Sequence, residues 1–204
     1  ITSWWDFGHH FKSIADRRVT FDGTTQQYQP AHWVGKLFMI NNETEAIGIL
    51  RMLNCGNNLA FNTIDDIMDH DLYKPISLLT SLTKITSRED AKKLLMEEHF
   101  FNANQTEIVL SYTHCSPPES YVIASEDMIG KSGVWSHFGS WNFDRAIIWQ
   151  MLRNKNEKDA VEEMKKLFNY TDEKAKYNYN EIRRIKDENE ANGWISPWPA
   201  ISGE

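Results

Sequence analysis

Two adjacent indoles, then a carboxylate, an aromatic ring and a glycine, stand almost at the start of the chain as Trp4-Trp5-Asp6-Phe7-Gly8. Few folds have a use for such a cluster. A Ser or Thr hydroxyl offers one donor hydrogen and two acceptor lone pairs, whereas indole N–H groups only donate and a carboxylate only accepts. Two Trp and one Asp therefore match one hydroxyl completely. A site built this way rejects a peptide lacking that hydroxyl, because its buried polar groups would lose their partners. The same residues also suit a strand entering a turn, with one Trp in the core and Asp6 capping the next segment.

The 204 residues fit one domain with a sizeable core, expected over about 1–155, followed by a helical tail over about 156–204. Lys plus Arg number 22 against 29 Asp plus Glu, a net charge of -7. That balance argues against nucleic acid and against a polybasic membrane patch, and leaves a neutral or basic extended peptide as a possible partner. No run of about 18 apolar residues is present to span a bilayer. Ile1 lies in the expected strand that delivers the Trp pair, so the chain reads as cut from something longer. Cys55 and Cys115 are too few for a disulfide scaffold and lack metal-ligand spacing, which leaves a single bridge open. Asn42-Glu43-Thr44, Asn104-Gln105-Thr106 and Asn169-Tyr170-Thr171 have the N-glycosylation acceptor pattern.

Along the chain, residues 9–16 read as a short helix and Val19-Thr20-Phe21 as a strand ending at Asp22-Gly23. Pro30 opens a helix with Ala31, Val34, Leu37 and Phe38 on one face. A second carries Ala46, Ile47, Leu50 and Leu53 and ends at Cys55-Gly56. Helical pattern runs over 63–82 with a break near Lys74-Pro75, and Ser87-x-x-Asp90 caps a helix over 88–98. Ile108–Tyr112 and Tyr121–Ala124 read as buried strands around Pro117-Pro118. Asp144 is the expected cap of a helix with Ile147, Ile148, Met151 and Leu152. The charged stretch 172–192 reads as a solvated helix loosened by Gly193, Pro197 and Pro199. The fold class expected is α/β: a helix-rich domain around a small, mostly parallel sheet. Both Trp4-Trp5-Asp6 and the segment after Ala124 would then sit just beyond strand ends, where ligands gather in open sheets.

His9-His10 and Asp69-His70-Asp71 contain metal-ligand residue types without the helical pairing or Cys partner of a specific site, so solvated or capping roles are expected. No nucleophile motif, phosphate loop or acid–base pair is evident. Eight Trp would suit a sugar-stacking surface, but Trp33, Trp135, Trp141 and Trp149 sit among apolar neighbours and read as core.

Ser3–His10, Ala15–Arg18 and Phe21–Thr25 together resemble the "WWDYG" region of oligosaccharyltransferase catalytic subunits, with Phe7 where the family usually has Tyr. Ser125–Trp135 is similar to that family's second signature, in its Asp-x-x-Lys rather than its Met-x-x-Ile form. Here three residues separate Asp127 from Lys131 instead of two. The resemblance covers roughly residues 1–150 and is strongest to compact archaeal members.

The resemblance implies a C-terminal domain of an enzyme that transfers a lipid-linked glycan to Asn in Asn-x-Ser/Thr. Its acceptor-peptide site would comprise Trp4, Trp5, Asp6 and Lys131, supported by Phe7, Gly8, Asp127, Met128 and Trp135. Trp4, Trp5 and Asp6 would bind the Ser/Thr hydroxyl, and Lys131 would close the other side of the pocket and meet peptide carbonyls. A fully buried Thr methyl there would favour Thr over Ser by about 0.8 kcal/mol. It also implies Mn2+ or Mg2+ held mainly by a membrane domain outside this chain, so the chain alone would be inactive. Partners would be the acceptor polypeptide, the lipid-linked oligosaccharide and the enzyme's own membrane domain. The full-length protein would sit in the cell membrane, with this part on the extracellular face. The contrasting reading is a non-catalytic carbohydrate-binding or protein-interaction module that keeps the Trp cluster for packing.

Overall fold

The structure, a computed structural model, describes residues 1–196. Pro197 and Pro199 lie outside the described residues. The chain forms two compact units, the first spanning Ile1–Ser140 and the second beginning at Trp141.

In the first unit a 3-10 turn at Trp5–Phe7 leads into α1 (Gly8–Ser13), followed by α2 (Pro30–Met39), α3 (Glu43–Cys55), α4 (Asn58–Ile67) and α5 (Lys74–Lys84). Then come α6 (Arg88–Lys93), continued by a wider π turn at Leu94–Glu98, α7 (Ala103–Thr113), α8 (Asp127–Gly130) and α9 (Ser132–Gly139). The second unit holds α10 (Phe143–Leu152), α11 (Glu157–Phe168), α12 (Asp172–Arg184) and α13 (Glu188–Ile195). The expected α/β class is thereby corrected to all-α: among the described residues there is no strand, and β pairing is limited to an isolated parallel bridge between Thr2 and Val122.

Local chemistry explains why these segments are helical. Pro30 and Pro75 lie in first turns, where a missing N–H costs nothing. Asn42 and Ser87 cap α3 and α6 through the N–H groups of Glu45 and Asp90. Ile108–Tyr112 is not a strand but part of α7. Asn102 and Gln105 form a reciprocal capping box that starts the helix, and Thr106, Val109, Leu110 and Thr113 are then buried along one face. Val19–Phe21 is likewise no strand, although Thr20 and Phe21 are buried. The cap of α10 is Asn142, not Asp144, since Asn142 Oδ1 accepts from Arg145 N at 3.0 Å.

Packing in the first unit is closest where α2 crosses α9. A Cβ on Gly35 would stand 2.8 Å from Gly139 N, so the two backbones touch with no room for a side chain. Arg51 on α3 donates to the carbonyls of Thr113 (2.8 Å), Thr86 (3.0 Å) and Ile85 (2.7 Å), placing a cation at helix C-terminal ends where it is favoured. Cys55 and Cys115 form a disulfide, with Cα atoms 5.9 Å apart. The second unit has its own core, with Ile148, Leu152, Val161, Met164 and Ile182 buried together.

Candidate functional site

The two sequence signatures are brought together by that lone bridge. Thr2 N donates to Tyr121 O at 2.8 Å, Ile123 N to Thr2 O at 2.9 Å, and Ser3 Oγ to Ile123 O at 2.8 Å. The two segments run parallel, so the residues on their C-terminal sides emerge at the same end. After Thr2 comes the Trp pair; after Ile123 comes Asp127–Lys131.

Trp4 turns inward. It is 2 % exposed, with its ring edge-on to Phe21 at 5.1 Å and tilted against Phe138 at 6.2 Å. Trp5, Asp6 and Phe7 occupy the 3-10 turn, which leaves them partly exposed. Gly8 starts α1 pressed against the Phe21–Asp22 backbone, where an added Cβ would lie 2.7 Å from Phe21 O. Beneath it Asp22 is 1 % exposed and pairs with Lys12, while Thr24 donates to Asp22 Oδ1 from its backbone (2.9 Å) and its hydroxyl (2.6 Å). Burial pushes the Asp22 carboxyl up, but the Lys12 ammonium and the two Thr24 bonds outweigh it and hold the group well below the usual carboxylate range. This lock fixes the turn that presents Asp6.

Lys131 Nζ lies 2.9 Å from Asp6 Oδ1 and 2.9 Å from Asp127 Oδ2, and 6.0 Å from the centre of the Phe7 ring. The spacing of Asp127 and Lys131 is one helical turn, so both side chains share a face. The bond to Asp6, then that to Asp127, raises the Lys131 ammonium above its ordinary value. Asp127 is held low first by the Ser125 hydroxyl and then by Lys131. Met128 is buried, and its carbonyl accepts from Trp135 Nε1 at 2.9 Å. Trp135 in turn packs edge-on to Phe38 at 5.8 Å. Met128 and Trp135 thus anchor α8 and α9 beneath Lys131.

One atom in this arrangement lacks a partner. Asp6 Oδ2 is buried and accepts no hydrogen bond, although Oδ1 of the same carboxylate holds Lys131. A buried acceptor left without a donor is costly, so the geometry suits an incoming O–H or N–H. A divalent metal fits less well at this point, because an ammonium already stands between the two motif carboxylates.

Two groupings lie outside what the sequence pattern reveals. Asp22 with Lys12 is legible only as a turn residue, since nothing in the local pattern signals that its carboxylate is buried. Asp65, Asp66 and His70 cluster on the surface at the end of α4, with His70 Nδ1 2.7 Å from Asp65 Oδ2. The hydrogen bond to Asp65 raises the His70 imidazole above its ordinary value. No helical spacing signals it, because His70 lies beyond the end of α4 at Ile67 and is folded back on Asp65 by the following turn, where Asp69 and His70 have positive φ.

No family model matches the chain, and no solved structure matches it. Two curated proteins do, both called dolichyl-phosphooligosaccharide-protein glycotransferase. That of Methanocaldococcus jannaschii is 35% identical over 147 residues, 70% of this chain. That of Methanococcus voltae is 32% identical over 148 residues, 71% of this chain. The match spans 16% of the length of each relative. Among the described residues, no helix is long and apolar enough to cross a membrane.

Proposed function

We propose that this chain, homologous to part of the archaeal dolichyl-phosphooligosaccharide-protein glycotransferases, recognises the Asn-x-Ser/Thr acceptor segment for an enzyme of protein N-glycosylation. The observation that carries the reading is the half-satisfied Asp6: one carboxylate oxygen on Lys131, the other buried without a hydrogen-bond donor. The Ser/Thr hydroxyl two residues after the acceptor Asn supplies that donor. Trp5 and Phe7, on the same turn, flank it, and Trp4 supports the turn from the core. Lys131 orients the Asp6 carboxylate and offers its remaining N–H donor to a peptide carbonyl. Met128 and Trp135 hold Lys131 in place, and Asp127 shares its charge.

The glycan-transfer chemistry, with Mn2+ or Mg2+, belongs to a membrane portion beyond this chain. The chain acts as its C-terminal domain on the extracellular face, and the lipid-linked oligosaccharide binds to the membrane portion. A sugar-stacking module is not favoured, because Trp4 and Trp33 are buried and, among the described residues, the other indoles are no more than half-exposed. The test is Asp6→Ala in the full-length enzyme. A drop in kcat/KM for an Asn-x-Thr peptide, with fold intact, is expected; an unchanged value removes Asp6 from the site.

A further inference from the structure

Of the three Asn-x-Thr triplets in this chain, we propose that Asn42 is itself a glycan-bearing site, and that the attached sugar lies in the groove beside it. The proposal rests on the proposed function insofar as it needs this part of the protein on the side of the membrane where glycan is transferred.

The structure separates the three triplets clearly. Thr106 is 0 % exposed inside α7, so the hydroxyl that an acceptor must present is buried when Asn104 is folded. Around Asn169 the next two residues are committed. Tyr170 donates to Asp144 Oδ2 at 2.6 Å and carries Lys174 over its ring at 3.6 Å, and Thr171 Oγ1 caps α12 by accepting from Lys174 N. Asn42, Glu43 and Thr44 are all exposed, Asn42 as the N-cap and Glu43 and Thr44 in the first turn of α3.

The chemistry of the cap is compatible with modification. Asn42 Oδ1 accepts from Glu45 N at 3.0 Å, and this bond uses the amide oxygen alone. In the transfer, Asn42 Nδ2 bonds to the anomeric carbon of a lipid phosphate- or pyrophosphate-linked oligosaccharide. The carbon–oxygen bond to that phosphate breaks, the lipid phosphate leaves with the electron pair, and Nδ2 releases one proton. The carbonyl oxygen is untouched, so the cap on α3 survives the modification. Asn42 is also already extended, at φ -101 and ψ 109, and only the first turn of α3 must open to present Thr44. Helix ends open at small cost.

A place for the sugar is present. Asn42, Thr44, Glu45 and Lys84 line a shallow, open, polar groove. Glu45 is held at 2.7 Å by Lys36 of α2, which fixes one wall. Lys84 ends α5 and is exposed, offering ammonium donors to sugar hydroxyls or acidic groups.

The experiment purifies the full-length protein from its native cells and sequences its peptides by mass spectrometry. The peptide containing Asn42 is expected to carry the glycan found on other glycoproteins of the same cells, and the peptide containing Asn104 is expected to be bare. Asn42→Asp, which keeps a capping oxygen, should fold normally and lose that mass. In parallel, intact cells are treated with a membrane-impermeant amine reagent that reads which side Lys84 faces. Labelling of Lys84 together with an unmodified Asn42 overturns this inference and leaves the proposed function standing. Absence of labelling together with an unmodified Asn42 overturns both.

Discussion

Lys131 reaches across from the second signature to hold the Asp6 carboxylate of the first, Nζ to Oδ1 at 2.9 Å. The pair neutralises Asp6 on one side and leaves its other oxygen buried without a hydrogen-bond partner. Replacing Lys131 with Met should lower kcat/KM of the full-length enzyme less than Asp6→Ala does, because the ammonium is partly exposed and screened. The double variant should lose less than the sum of the two single losses, since residues in one ion pair are coupled. Steady-state kinetics on the three variants reads this directly, and simple additivity would separate the two residues.

The imidazole of His114 makes stability fall in mild acid. It is 6 % exposed, beside Arg51 and Arg88, with Nε2 3.0 Å from Ile85 O. Burial first, then the Arg51 charge, lowers it to about 4. Above the ordinary value near 6.5 both folded and unfolded chains carry it neutral, and its contribution is complete. As pH falls from about 6.5 to about 4 the unfolded chain takes the proton first, and up to about 3 kcal/mol is lost. His32 is also lowered to about 4, chiefly by burial, and loses stability over the same window. Chemical denaturation at pH 8 and pH 4.5 should show the loss, and His114→Gln should flatten the slope without abolishing it.

Reducing the Cys55–Cys115 bond should destabilise the first unit strongly. The bridge closes a loop of sequence separation 60, for which chain entropy gives about 4 kcal/mol. Urea unfolding with and without reductant measures it, and coincident curves would show that the bridge contributes nothing.

Gly8→Ala should be more damaging than its size suggests. Its backbone is ordinary, at φ -56, but the new methyl would meet Phe21 O and the Asp22 main chain. A cost of about 1–3 kcal/mol is expected for such overpacking. Because Gly8 comes directly after the turn bearing Asp6, acceptor recognition should fall together with the thermal midpoint. A variant with an unchanged midpoint would show that the Gly8–Asp22 approach relaxes freely.

Much of the helical framework is legible from caps and prolines. Pro30, Asn41-Asn42, Ser87 and the Lys74-Pro75 break each mark an observed boundary to within a few residues. Ile108–Tyr112 misleads because a short apolar run with β-branched residues has no period of its own. The deciding residues are Asn102 and Gln105, upstream of it. Tyr121–Ala124 reads as a strand, but it meets the N-terminal segment in an isolated bridge to Thr2, so no sheet grows from it. The approach of Lys131 to Asp6 is expected from paired strand ends, and the single parallel bridge achieves it. The buried state of Asp6 Oδ2 and the Asp22–Lys12 lock depend on tertiary packing that no local pattern encodes.

That Asp6 reads the acceptor hydroxyl is tested most directly by a peptide series differing only at the third position, Asn-x-Thr against the near-isosteric Asn-x-Val, in full-length wild type and Asp6→Ala. Wild type should prefer Thr strongly, since Val leaves the buried carboxylate unpaired. In Asp6→Ala the preference should shrink by about ten- to a hundredfold, equivalent to about 1.5–3 kcal/mol for a hydrogen bond to a charged group. A Thr-to-Val ratio of kcat/KM that is the same in both enzymes would contradict this role for Asp6.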